Sequence, residues 1–331
     1  MKHLSHRKYV ATLLPTNAKF EIDEEAYRRH LRYFTRNERF ARDGGLVINP
    51  EAGETFYMTR EEKRRTLEIA LEEANGKLPV FAGIYGATTR DVVELTKDAK
   101  AIGAQGIFVI PPGGAIDITL CWDPVKYPEV WLDQIKEQDR AVDLPMITHP
   151  VATPSAAYGG GLPVEPMLKM IKEVPNIVGW KMTYSYEGYR RVTRALREHA
   201  PNVAILAAPA NIFHENLASG EFDGTVSGSW CYALESMLEH LEAWEANDVV
   251  RARKIWHGGL SQLHDYIYSE WGRLHVRYKA AAWLRGLVPQ PAMRPPMPAP
   301  RREELQTLHR LLKSAGMSVI DEASSTWRAA A

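Results

Sequence analysis

One apolar run in this chain, Ile177-Val178-Gly179-Trp180, closes on a lysine, Lys181, and reads as a buried strand with an ammonium at its inner end. Burial disfavours the charged form. A lysine held in an apolar pocket therefore loses its proton more readily, and its amine can attack a carbonyl carbon. The plain alternative is a side chain that snorkels from the strand end to water. A second run, Pro145-Met146-Ile147-Thr148, closes on an imidazole, His149. If these runs are adjacent strands of one sheet, Lys181 and His149 project into one site. An amine beside an imidazole suits carbinolamine and imine chemistry, in which protons move onto and off a substrate oxygen near neutral pH.

The elements that would position these groups follow a regular pattern. Short apolar runs at 9–15, 45–49, 79–84, 106–111, 145–149, 177–181, 203–208 and 223–228 alternate with amphipathic charged segments. That is the pattern of parallel strands buried on both faces and joined by crossover helices. The segment 59–75 illustrates a helix, with Thr59 and Glu62 forming a capping box ahead of Leu67, Ile69 and Leu71. Eight such units to residue 248 predict a TIM (β/α)8 barrel over 1–248, and 331 residues suit one barrel of about 250 residues with an extension. An open dinucleotide-binding sheet would need a glycine-rich phosphate loop after the first strand, and none is there. The remainder, 249–331, predicts a C-terminal helical extension. It reads as helices at 249–270, 272–286 and 302–314 around a proline-rich stretch, 289–300, that cannot be helical. Trp256, Trp271 and Trp283 in this extension are read as core or as cover for an oligomer face.

In such a barrel the chemistry sits where the strands end, which adds Glu51, Ala52 and Gly53 after the second strand and Ser227 and Gly228 at the eighth. Composition narrows the partner. Lysine plus arginine number 41 and aspartate plus glutamate 41, so no net field attracts nucleic acid or an anionic membrane, and a small-molecule carbonyl substrate is favoured. No stretch of about 18 apolar residues is present, and MKHLSHRKYVATLLP has no signal-peptide core, so a cytoplasmic location is expected. The two cysteines, Cys121 and Cys231, form no CxxC. No cofactor and no metal are expected, because beside His149 no second histidine closes a strand and no HExxH occurs.

The order of these pieces resembles the dihydrodipicolinate synthase and N-acetylneuraminate lyase family of class I, Schiff-base aldolases. The similarity spans nearly the whole chain. TLLPTNAKFEID at 12–23 is similar to the family's first strand and turn, 52–112 to its most recognisable stretch from Gly-Glu through Pro111-Pro112, VPNIVGWK at 174–181 to the segment with the imine-forming lysine, and GEFDGTVSG at 220–228 to the glycine-rich last strand. The resemblance implies Lys181 as nucleophile and a homotetramer or homodimer. Departures fall on substrate-defining positions. Pro50-Glu51-Ala52-Gly53-Glu54 stands where the family has Gly-Thr-Thr-Gly-Glu, so both carboxylate-binding hydroxyls are gone, and Glu51 would repel a carboxylate placed in the usual way. The proton-relaying tyrosine is matched by His149, or by Thr148 if the register slips by one. Gly113-Gly114 replaces the second tyrosine, and VATPSAAY lacks the synthases' arginine.

The resulting expectation is a lyase that forms an imine between Lys181 and a carbonyl substrate, a 2-oxoacid, for carbon–carbon cleavage or condensation. His149 would relay protons, while Ser227, Gly228, Thr148 and the backbone near Ala52 and Gly53 orient the substrate. A dehydratase acting on a sugar-type 2-oxoacid through the same imine, a metal-dependent barrel enzyme and a non-catalytic barrel protein remain open at this level.

Overall fold

The computed structural model of the chain describes Leu4 and residues 6–113 and 122–320; Gly114, Cys121 and the end of the extension lie outside the described residues. Eight parallel strands close into a barrel: β1 (Lys8–Ala11), β2 (Gly44–Ile48), β3 (Val80–Ile84), β4 (Gly106–Val109), β5 (Met146–Thr148), β8 (Ile177–Met182), β9 (Ala204–Ala207) and β10 (Gly224–Ser227). Ladder order follows chain order, and β10 returns to β1 through Tyr9↔Val226. The barrel interior is filled by Tyr9, Val47, Phe81, Phe108, Ile147, Leu206 and Val226, with Tyr9 and Phe81 edge to face at 5.0 Å. A larger apolar layer lies between strands and helices, which is why the strands read as continuous apolar runs rather than alternating ones.

Around the strands run α1 (Glu24–Thr35), α2 (Glu38–Ala41), α3 (Arg60–Ala74), α4 (Thr89–Ile102), α5 (Glu129–Ala141), α6 (Val164–Glu173), α7 (Tyr186–His199), α8 (Phe213–Ala218) and α9 (Trp230–Glu245); α3 is the predicted helix over 59–75, and its Thr59/Glu62 capping box is formed in both directions. Two strands end at least two residues before the apolar runs suggested. After Ala11 the chain leaves the ladder but stays extended, with Thr12 N and Oγ1 both bonding the Val47 carbonyl; β4 ends at Val109. After β5, Val151–Ser155 (β6) and Gly159–Gly161 (β7) pair as an antiparallel hairpin.

The C-terminal segment departs most from its expected outline. The helix predicted over 249–270 divides into α10 (Val249–Ile255) and α11 (Ser261–Tyr268), interrupted by a wide turn where Gly259 takes φ +123°. Next come α12 (Leu274–Leu284), the non-helical proline-rich stretch, and α13 (Arg302–Ser314). No described helix is long and apolar enough to cross a membrane.

Two charged anchors tie this segment to the barrel, and a third ties its own helices together. Lys279 of α12 bonds Glu54 at 2.6 Å, and both side chains are fully buried. The Arg294 amide donates to the other Glu54 oxygen at 2.8 Å, and the Arg294 guanidinium grips Glu62. Glu304 of α13 holds Arg273 and Arg277 on either side of the start of α12. Removing one member of a buried pair strands the other charge, so Lys279→Met is expected to cost about 3–5 kcal/mol in urea unfolding, with more than half regained on adding Glu54→Gln. A single-variant loss no larger than that of an exposed pair would contradict this role.

Candidate active site

Neighbouring strands bring the amine and imidazole together. Thr148 of β5 lies opposite Trp180 of β8, so the next residues along, His149 and Lys181, stand at one level on the barrel mouth. Strand alternation turns Trp180 outward into the helix layer, where its Nε1 donates to the Tyr184 hydroxyl at 2.9 Å, and leaves Lys181 facing inward above the Phe108 ring at 5.3 Å. The His149 amide bonds the Val109 carbonyl at 2.8 Å, which fixes its backbone.

The loop after β2 supplies the third group. Asn49 and Glu54 both take positive φ, 56° and 66°, and between them Glu51–Gly53 winds into one tight turn. Asn49 is held by its side chain, whose Nδ2 donates to the Lys63 carbonyl while Oδ1 accepts from Thr66 Oγ1; Glu54 is held by Lys279. This strained loop aims the Glu51 carboxylate at His149, with Oε2 2.5 Å from Nδ1. The Lys181 Nζ is 3.4 Å from that same nitrogen.

The electrostatics follow from this packing. Burial pushes Lys181 down to about 8, with Glu51 opposing that fall. Burial alone would raise Glu51, but the His149 and Lys181 charges outweigh it and hold the carboxyl at about 2. A carboxylate so held can only accept, so His149 Nδ1 carries the proton between them and Nε2 is its acceptor side. Burial lowers His149 as well, against the pull of Glu51. The three groups therefore form an amine of lowered basicity beside a carboxylate–imidazole dyad, equipment for adding the amine to a carbonyl and moving the resulting protons.

A cavity of about 130 Å³ opens above Lys181. Glu51, Ala52, His149, Ser227 and Gly228 line it with the amine, so six of the eight expected site residues converge. Two do not. Thr148 is buried beneath the cavity with Oγ1 on the Gly179 carbonyl at 3.3 Å, because the strand register gives the mouth position to His149. Gly53 packs against the first strand's extension, where a β-carbon would lie 2.7 Å from the Thr12 carbonyl, and its amide is spent on Pro50 at 3.0 Å. The Gly53 amide is thus engaged within the turn, and Gly53 does not line the cavity. Trp230 is also away from the cavity, in the core with Nε1 on Thr225. Gly228 leaves room for the Tyr278 ring, which a β-carbon would approach to 2.5 Å.

The far wall was not read from sequence. Tyr268, Trp271, Leu274, His275 and Tyr278 reach the cavity from α11, α12 and the turn between them, and Thr183 adds a buried hydroxyl without a partner. Tyr278 hydrogen-bonds Tyr268, whose hydroxyl lies 3.1 Å from Ser229 Oγ and 3.5 Å from Ser227 Oγ. The helical spacing of Leu274, His275 and Tyr278 was visible, but nothing local says that this face meets a barrel mouth. Other histidines lie elsewhere: His214 and His240 are 2.9 Å apart in a separate cluster near His264. Among the described residues no group of three or more histidine, cysteine, aspartate or glutamate side chains is placed to hold a metal ion.

The profile of the Dihydrodipicolinate synthetase family matches residues 5–315. A 4-hydroxy-tetrahydrodipicolinate synthase of Methanopyrus kandleri is 32% identical over 273 residues, covering 82% of this chain and 85% of that protein. N-acetylneuraminate lyase 2 of Escherichia coli O6:H1 is 24% identical over 307 residues, covering 92% and 93%. Among solved structures, YagE, an Escherichia coli K12 prophage protein in complex with pyruvate, superposes with a TM-score of 0.80 at 21% identity, covering 96% of this chain and all of that one. The chain belongs to the dihydrodipicolinate synthetase family, a family of lyases and aldolases, and its TIM barrel is that family's fold.

Because Glu51 raises the affinity of Lys181 for its proton, Glu51→Gln is expected to lower the midpoint for modification of Lys181 by an amine-reactive reagent below the value near 8 set by the native site. Peptide mass spectrometry across pH 6 to 10, buffers chosen on the scale of ordinary amine titration, reads this directly. An unmoved midpoint would show that the carboxylate does not act on the amine.

Proposed function

We propose that this enzyme is a class I lyase whose Lys181 amine forms an imine with the carbonyl of a 2-oxoacid, for cleavage or formation of a carbon–carbon bond. The observation that carries the reading is the contact of one nitrogen, His149 Nδ1, with both the Glu51 carboxylate and the Lys181 amine in the lining of one cavity.

Comparison with two other buried lysines, Lys63 and Lys279, supports the choice of nucleophile. Burial lowers Lys63 to about 8 as well, yet its ammonium donates to the Tyr85 carbonyl at 2.7 Å, outside the cavity. Lys279 is locked on Glu54. Lys181 alone among these three opens onto the cavity.

The proton count closes without an outside acid. At neutral pH Lys181 gives up its extra proton through solvent to His149 Nε2, the open acceptor of the dyad because Nδ1 already carries a proton, and the free amine adds to the carbonyl carbon. The proton shed by nitrogen moves to the new alkoxide, giving a carbinolamine. The stored proton then returns to that oxygen, which leaves as water, and the nitrogen lone pair completes a cationic imine. The imine withdraws electrons from the adjacent carbon, so a bond to carbon or hydrogen there can break to leave an enamine. A Glu51 already paired with His149 repels an incoming carboxylate less than a free one, which makes a 2-oxoacid compatible with the loss of the two hydroxyls. The named relatives, a synthase and a lyase, and the pyruvate complex of YagE point to the same substrate class.

Enamine formation has a readout that needs no second substrate. The wild-type chain is expected to exchange the methyl protons of pyruvate for deuterium in heavy water, followed by proton NMR, and Lys181→Met should slow this by about 1,000-fold or more. Exchange retained in Lys181→Met would sink the imine reading.

A further inference from the structure

The wall of the cavity facing Lys181 is not used by the imine steps. It comes entirely from the C-terminal segment, and its composition is uneven. His275 is half-buried, lines the cavity and makes no hydrogen bond or ion pair with another described residue; its ring leans on Tyr278 at 5.8 Å. Several imidazoles elsewhere are paired, as His149 is with Glu51 and His264 with Tyr232. Beside His275 the wall is apolar or aromatic. Leu274 and the Tyr268 and Tyr278 rings line it, and Trp271 stands at the mouth 60% exposed, edge-on to Tyr268 at 6.2 Å. Among the described residues that line the cavity, Lys181 is the sole lysine or arginine and Glu51 the sole carboxylate.

We infer that α11 and α12 build an acceptor subsite: His275 acts as the acid–base on the acceptor's carbonyl oxygen, and Trp271, Tyr268 and Leu274 seat an uncharged aryl or alkyl substituent. The inference rests on the imine reading above and specifies the second reactant. In the synthetic direction the enamine carbon attacks an aldehyde, the carbon–oxygen π bond breaks toward oxygen, and the neutral His275 ring passes its N–H proton to that oxygen while its other nitrogen takes a proton from water. In cleavage His275 takes that hydroxyl proton while the carbon–carbon pair flows back into the cationic imine. Two imidazoles thus divide two proton tasks, His149 serving the imine oxygen and His275 the acceptor oxygen.

The placement is fixed by the fold. His275, Tyr278 and Lys279 lie at i, i+3 and i+4 on α12, so the anchor on Glu54 holds the helix turned with its imidazole toward Lys181. Across the cavity His275 faces Glu51, Lys181 and His149, and beside it stand the Tyr268 and Tyr278 phenols. Burial lowers its pKa to about 4, so an imidazole there is neutral at rest and ready to take a proton in cleavage. An acceptor with a second carboxylate would meet Glu51 and find no guanidinium. A polyhydroxylated one would leave hydroxyls unpaired against Trp271 and Leu274.

The test measures condensation of pyruvate with benzaldehyde, glyceraldehyde and glyoxylate by the full-length chain, alongside the pyruvate methyl exchange. Benzaldehyde is expected to exceed the other two in kcat/KM by about tenfold or more. His275→Gln should lower kcat for condensation by about 100-fold while leaving methyl exchange within about threefold of wild type, a split that a merely structural role would not give. Trp271→Ala should raise KM for benzaldehyde by about tenfold and leave that for glyceraldehyde unchanged. Retained methyl exchange serves as the folding control, and His275→Asn is the second variant should the glutamine form not fold. The inference is overturned if His275→Gln condenses at near wild-type rate, if it loses exchange and condensation in parallel, if glyoxylate or glyceraldehyde outpaces benzaldehyde, or if none of the three condenses. Absence of exchange in the wild type would instead remove the imine reading itself, and the acceptor subsite with it.

Discussion

The buried ion pair between Glu54 and Lys279 sets the position of both halves of the cavity. Glu54 ends the strained turn that aims Glu51 at His149, and Lys279 lies one turn along α12 from His275. Each charge is fully buried, so neither tolerates loss of the other, and the barrel loop and the helix can move only together. The Arg294 amide on the second Glu54 oxygen adds the proline-rich stretch to the same node, and Gln290 reaches Thr16 at the end of the first strand's extension. A segment that packs against the outside of a barrel has in this way become a wall of its interior site.

Within that frame the site runs on one negative charge. Glu51 stands where a threonine hydroxyl was expected from the resemblance, and a carboxylate in a low-dielectric pocket is costly unless paired. Its partners are the imidazole and the amine, and each is changed by the pairing. His149 is held in one tautomer. Lys181 keeps more of its basicity than burial alone would leave. The substitution therefore changes the charges around Lys181 and leaves the lysine in place.

Sequence made the barrel legible because its strands are buried on both faces and its helices carry local start signals such as the Thr59/Glu62 box. Lys181 and His149 were legible as charged closures of apolar runs. Their contact followed from strand order alone. Glu51 was legible as an anomaly, but its direction depends on positive φ at Asn49 and Glu54, which residue type does not announce. Thr148 lies beneath the mouth because a one-residue change of register decides which group reaches it, and Gly53 lies off the cavity because its turn packs against the first strand's extension. The far wall was invisible for a different reason. Glu54 and Lys279 are separated by 225 residues, and periodicity reports that a helix has a buried face without saying what it is buried against. The aromatic residues of the extension likewise divided by tertiary context: Trp256 stacks on His214 and His240, while Trp271 stands at the cavity mouth.

The central claim is that Lys181 is the group that bonds to substrate carbon. Borohydride reduction of the full-length chain in the presence of pyruvate, followed by digestion and peptide mass spectrometry, reads that bond directly. The account predicts one stable adduct, on the peptide that contains Lys181, with Lys63 and Lys279 unmodified although burial lowers their basicity too. An adduct on Lys63 or another lysine, or folded protein that forms none, would contradict it.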